Sequence, residues 1–223
     1  MSVTVDAVTN GVFTNGTTVT FAHTVSGADR ELQVSVHVHT QPVTSVTYNG
    51  VSLSLLRQEV ESSQGTNTEV WHLIAPPTGT HNVVVVIANS NNFGVVAISL
   101  NGVNQTSPTG TIVSGNYPGS GISESLITSG QVNGLVLDFF TLQYGAGTIT
   151  PNGGQTTQTG PTTNSNDLQM IVTSKAGAAS VTTGFSWVND FYRWSHIAVP
   201  IYPVSAGGLS ERMTRGSFRG VAR

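Results

Sequence analysis

Strict alternation of apolar and polar residues governs what this chain can fold into. In RELQVSVHVHT, Leu32, Val34, Val36 and Val38 point one way, and Gln33, Ser35, His37 and His39 the other. A two-residue period belongs to an extended strand with one face on a core. The stretch VTSVTYNGVSLSLL carries Val46 and Tyr48 before Asn49-Gly50, and Val51, Leu53 and Leu55 after it. Asn-Gly accepts the two positive-φ positions of a type I′ turn, so a tight hairpin is expected there, with Gly50 at φ > 0. Asn-Gly recurs six times, at Asn10, Asn15, Asn49, Asn101, Asn133 and Asn152, which is the punctuation of an antiparallel, many-stranded protein.

Further strands are expected at 2–8, 17–25, 68–74, 81–88, 93–100, 121–128, 134–142, 167–174, 178–187 and 194–201. Val83 to Ile87 is continuously apolar, the pattern of a strand covered on both faces. Segments 57–67, 104–120 and 143–166 are rich in Gly, Ser, Thr, Asn and Pro and read as long loops. Twelve or more strands without a convincing helix imply an all-β fold. The expectation is a two-sheet antiparallel β-sandwich over residues 1–206, followed by an extended arm over 207–223. Val and Thr dominate while good helix formers are scarce, which agrees.

Charged residues make up 9% of the chain, against a usual value of about 25%. Hydroxyls and amides replace them, a surface suited to a robust extracellular particle or an adhesin. With no cysteine, a disulfide framework, a zinc-thiolate site and a thiol nucleophile are excluded. The opening MSVTVDAVTNGVF lacks the basic and apolar regions of a secretory signal. No run approaches the ~18 apolar residues of a membrane span, so no membrane partner is expected.

Local catalytic motifs are missing: there is no Gly-x-Ser-x-Gly elbow, no Gly-Lys phosphate loop and no dinucleotide fingerprint. His37 and His39 share a strand face and could begin a metal site with His23, His72, His81 or His196, but no carboxylate stands at a telling spacing. Solvated histidines are the expectation, with no metal and no cofactor. Glu69, Glu124, Asp138 and Asp190 are carboxyls a glycosidase could pair across a cleft. Asp138 stands out because NGLVLDFF places it on the face of Val136 and Phe140. A hydrogen-bonded structural Asp138, or one solvated on a sheet face, is the preferred reading, and no enzymatic activity is expected. FSWVNDFYRWSH crowds Phe185, Trp187, Phe191, Tyr192 and Trp194 together. Core packing is preferred for this cluster. Tyr192, Trp194 and the loop-borne Tyr117 are the candidates for stacking on sugar rings.

Three stretches carry a resemblance: VTSVTYNGVSLSLL, EVWHLIAPPTGTHNVVVVI and ISLNGVNQTSPTG. They resemble a β-sandwich module of phage virion proteins and large secreted bacterial proteins. The matching residues are Tyr48-Asn49-Gly50, Trp71, Pro76 to Thr80, and Gly102 to Pro108. The likeness covers roughly residues 1–140. It implies a jelly-roll-like, lectin-type sandwich and a virion context, and it brings no catalytic signature. His72 stands where the pattern has Tyr or Phe.

The tail GGLSERMTRGSFRGVAR holds Arg212, Arg215, Arg219 and Arg223 against Glu211, a net +3. The preceding 206 residues hold four basic and ten acidic residues, a net −6. Leu209, Met213, Phe218 and Val221 are spaced apolar anchors, and arginine forms forked bonds to carboxylates. An arm lying on a neighbouring protein follows, with Leu209, Arg212, Met213, Arg215, Phe218, Arg219 and Arg223 as its contacts. Four arginines neutralise too few phosphates to make nucleic acid the partner. The preferred reading is a phage virion structural protein, a capsid decoration (cement) protein held by this arm to other virion proteins, the major capsid protein first. It would assemble in the host cytoplasm and reside in the virion. The alternative is a glycan-binding module of a fibre, spike or secreted protein that contacts host surface glycans. A glycoside hydrolase of lectin-like fold is the second alternative.

Overall fold

A computed structural model describes residues 1–39, 41–61, 65–117, 121–143, 148–163, 168–188 and 193–205, except the side chains at 11–13 and 161–163. The described residues are all-β and contain fifteen strands. In chain order these are β1 Thr4–Val25, β2 Glu31–His39, β3 Val43–Tyr48, β4 Val51–Ser52 and β5 Ser54–Val60. Next come β6 Thr66–Ile74, β7 Gly79–Asn101, β8 Val113–Tyr117, β9 Ser123–Thr128 and β10 Leu135–Gln143. The last five are β11 Thr150–Pro151, β12 Thr156–Thr163, β13 Leu168–Ala176, β14 Val181–Ser186 and β15 Arg193–Ile201.

These form three antiparallel sheets in a sandwich-like stack. Seven strands run β4-β3-β7-β2-β6-β5 with β1 beside β7, five run β12-β13-β10-β15-β8, and three run β11-β14-β9. β1 and β7 have 22 and 23 residues and pair along nearly their whole length, from Thr4↔Asn101 to Val25↔Gly79. Strands this long bend, and register shifts at Val5/Ala7, Thr9/Val12 and Gly16/Thr18 provide the bends. The first half of β7 pairs with β3 and the second half with β2. One core cluster joins Val46, Tyr48, Val83, Val85 and Ile87 of the first half to Val34, Val36, Phe93 and Val95 of the second. The seven-stranded sheet has therefore folded over and packed one of its faces against itself.

Its other face meets the five-stranded sheet through Val96, Ile98 and Leu100 against Leu137, Phe139, Val172 and Val199. On the far side of that sheet lies the three-stranded one, packed through Phe140, Ile171 and Phe185 and through Val136, Val181 and Ala198. Both faces of β2 and of β10 are consequently buried. Leu32, Val34, Val36 and Val38 point inward as the alternation requires. His37 is not solvated, because its face of β2 lies against the second sheet.

All three segments read as loops contain strand. β5 extends through Val60, β8 covers Val113–Tyr117, and β11 and β12 cover Thr150–Pro151 and Thr156–Thr163. Each of these strands is the outermost of its sheet. An edge strand with a solvated face needs no apolar period, so Thr-, Gln- and Ser-rich sequence serves there. Val83 to Ile87 departs from expectation in the other direction. Val83, Val85 and Ile87 are buried, whereas Val84 and Val86 are half-buried, because that half of β7 forms the outer wall of the stack.

The Asn49-Gly50 hairpin is where expected, with Tyr48 opposite Val51 and φ of 50° at Asn49 and 75° at Gly50. A Cβ added at Gly50 would meet nothing within 4 Å, so a substitution there tests backbone conformation alone. Gly50→Val is expected to cost about 1–2 kcal/mol, the penalty of holding a β-branched residue left-handed. A thermal melt checks this, and an unchanged melting temperature would contradict the turn.

Candidate functional site

The densest charged assembly lies between the five- and three-stranded sheets. Period-two geometry places Asp138 of β10 on the face of Val136 and Phe140, pointing at the three-stranded sheet. His196 of β15 points the same way, one diagonal step along, since Phe140 is its cross-strand partner. From above, β9 lowers Glu124 and β14 lowers Thr183. His196 Nε2 donates to Asp138 Oδ1 at 3.0 Å, and its Nδ1 stands 2.9 Å from Glu124 Oε1 in an ion pair outside linear hydrogen-bond geometry. The hydroxyls of Thr183 and Thr173 donate to Asp138 at 2.6 and 3.4 Å. The imidazole and Asp138 side chains are fully buried, and Glu124's is 3% exposed.

Burial alone would push the His196 ring towards neutrality. Hydrogen bonding and attraction from the two carboxylates outweigh it and raise the pKa to about 9. The edges of Phe140 and Phe185, at centroid distances of 5.9 and 5.2 Å, wall the ring from solvent. An imidazolium between two carboxylates, sealed by two phenyl rings, joins layers. It offers no opening to a substrate.

Other polar residues between the layers are engaged in the same manner. His37 bonds Thr141 at 2.5 Å and Ser35 at 2.9 Å, and Thr68 continues the chain to Thr141 and Ser195. Without an anionic partner, burial pushes the His37 ring down to about 3. His23, bonded to Thr9, is pushed down to about 4 by burial, with Asp6 opposing the shift. Glu69 accepts from Gln58, Asn67, Trp71 and the Val43 amide. Glu31 accepts from His72 at 2.9 Å and Gln33 at 3.2 Å.

None of the histidines considered with His37 joins it: His72 pairs with Glu31, His196 with Asp138 and Glu124, and His23 and His81 are cross-strand partners beside Tyr48. Among the described residues no group of three or more His, Asp or Glu is placed to hold a metal, and no helix is long and apolar enough to cross a membrane. Asp190 lies outside the described residues.

Two of the sugar-stacking candidates come together. Tyr117 of β8 and Trp194 of β15 are cross-strand partners. Tyr117 is 46% exposed, while Trp194 is half-buried with its ring 6.2 Å from Phe140. Phe185 and Trp187 are core, as preferred, whereas Phe191 and Tyr192 lie outside the described residues. Residues 207–223 also lie outside them, and with them Leu209, Arg212, Met213, Arg215, Phe218, Arg219 and Arg223.

The three stretches that carry the sequence resemblance meet at one end of the folded-over sheet. Tyr48 donates to the Gly79 carbonyl at 2.9 Å, and Arg30 donates to the Pro76 carbonyl at 3.0 Å. Gln105 bonds the carbonyls of Arg30 and Val103. In this chain these residues hold turns together. The sequence marks Asp138 and Glu124 as carboxyls and His196 as a candidate ligand, but their union in one assembly depends on the stacking of the sheets. No family model, curated protein or solved structure matches the chain.

Proposed function

We propose that this chain is a non-catalytic structural protein of a phage virion, a decoration protein on the capsid. One observation carries the non-catalytic part: the groups capable of chemistry are engaged in holding layers together. Asp138 and Glu124 share one imidazole, Glu69 has four donors, and His37 is bonded on both ring nitrogens. That pairing removes support from a hydrolase, whose carboxyls must flank a substrate cleft. The virion context draws on the sequence resemblance and the sparsely charged composition. The arm over 207–223, with its four arginines and spaced apolar residues, supports anchoring to the major capsid protein.

Mixing the purified protein with empty capsids, with and without residues 207–223, tests the reading. The truncated chain is expected to keep its strand-type circular dichroism and to lose capsid binding. Equal binding by both would show that the arm is not the anchor, and binding by neither would overturn the decoration role. A second reading, contact with host glycans, is favoured by the Tyr117–Trp194 pair at the β8 edge of the five-stranded sheet, where Tyr117 is exposed. Glycan-array binding that is lost on Tyr117→Ala would support it.

A further inference from the structure

The three-stranded sheet is separate from the rest of the stack, since none of its strands pairs with a strand of another sheet. It is held down by the apolar contacts around Phe185 and Val181, by Lys175, by bonds from Thr128 to the Thr111 carbonyl and from the Gly184 amide to Gln155, and by the charged assembly. The geometry points to a pH-operated clasp: protonated His196 ties Glu124 of β9 to Asp138 of β10, and loss of the ring proton lets the β9 side of the sheet lift from Val136 and Ala198. This goes beyond the structural role proposed above and does not depend on it.

The mechanism follows from counting protons. An imidazolium has two N–H groups; here one donates to Asp138 and the other turns its positive charge to Glu124 as an ion pair. A neutral imidazole has one, so one carboxylate must face a lone pair instead. The two carboxylates differ in what they retain. Asp138 keeps the hydroxyls of Thr173 and Thr183. Among the described residues, neither oxygen of Glu124 has a hydrogen bond, and the imidazole is its ion-pair partner. Glu124 is therefore the group left as an uncompensated buried charge, which is strongly destabilising. It also sits on an edge strand, which can carry it to water without breaking more than one ladder.

The remaining surroundings do not rescue it. Gly115 of β8 stands opposite His196 and brings no side chain. On β13 the same face presents Thr173 and Lys175, and Lys175 donates to the carbonyls of Thr182 and Gly153. From β14 comes Thr183, and the other walls are Phe140 and Phe185. Lys175 thus pins β14, and the Thr128 hydroxyl ties the far end of β9 to the Thr111 carbonyl at 3.0 Å. The Ser123–Glu124 end of β9, which depends on the imidazolium, is therefore the part that lifts. With the ring raised to about 9, the clasp is closed at neutral pH and opens under alkaline conditions.

Hydrogen exchange of the intact protein between pH 7 and 10, corrected for base catalysis of the intrinsic rate, tests this. Peptides covering 123–128 are expected to lose tenfold or more of their protection as the pH passes about 9, while β2 peptides keep theirs. Glu124→Gln replaces the stranded charge by an amide that can donate to the neutral ring, so its protection should not vary with pH. Wild-type β9 peptides that stay protected to pH 10 would overturn the proposal. So would a Glu124→Gln protein that opens at the wild-type pH. An NMR titration of the wild-type His196 ring gives a check independent of any variant: a midpoint near 9 is required, and one near 6.5 refutes the clasp.

Discussion

Replacing His196 by alanine is expected to lower the unfolding free energy by about 3–5 kcal/mol, the usual result of removing one partner from a buried charge assembly. The variant strands two carboxylates, one fully buried and one 3% exposed, and opens a cavity beside the stacked Phe140 and Phe185 rings. Urea denaturation at pH 7 measures the loss. Replacing the whole assembly distinguishes a missing partner from a favourable ion pair. A His196→Leu, Asp138→Asn, Glu124→Gln triple variant should recover much of the stability, because it leaves no charge behind. A triple variant weaker than His196→Ala would mean that the attraction itself stabilises the fold.

The second large effect is a stability maximum near pH 6.5 with losses on both sides. On the acid side the cause is His37, whose folded-state pKa of about 3 lies below the ordinary value of 6.5. Between those two values the unfolded chain binds a proton that the folded one refuses. Stability therefore falls as the pH drops from 6.5, by roughly 3 kcal/mol at pH 4 from this residue. His23, pushed down to about 4, acts in the same direction. On the alkaline side the folded His196, raised to about 9, keeps a proton that the unfolded chain has released. Its contribution is complete below pH 6.5 and disappears as the pH rises to about 9, again about 3 kcal/mol. Denaturation midpoints at pH 4, 6.5 and 9 measure both limbs. His37→Gln should remove about half of the acid limb, leaving the share due to His23, and should not change the alkaline one; a profile level from pH 4 to 9 would contradict both assignments.

What could be read from the sequence was whatever one strand records by itself. The alternation of Val34, Val36 and Val38 and the Asn49-Gly50 turn are local, and both are in the structure as expected. The polar edge strands were not legible, because a solvated edge such as β12 imposes no pattern on its residues. Nor was the burial of His37 legible, since alternation shows that a residue opposes the core valines without showing what covers it. Asp138, His196 and Glu124 each carried half a signal, a charged or titratable residue sharing a strand face with Phe140, Trp194 or Leu126. Their convergence depends on how the layers stack, and no strand encodes that alone.

The β1–β7 pairing has a further consequence, for the route by which the chain folds. Thr4 lies beside Asn101 and Val25 beside Gly79, with β2 to β6 encoded between the two strands. This longest ladder cannot zip outward from a turn. Its closest partners must first close a loop that contains five other strands, and loop-closure entropy precedes any reward from their contacts. The local hairpin of β3 and β4 can form within microseconds. The long ladder places the whole domain in the millisecond-to-second class of non-local β proteins. Until it closes, the alternating valines of β2 and β7 stand exposed in the nascent chain, so the slow step of folding coincides with the period of greatest risk of aggregation.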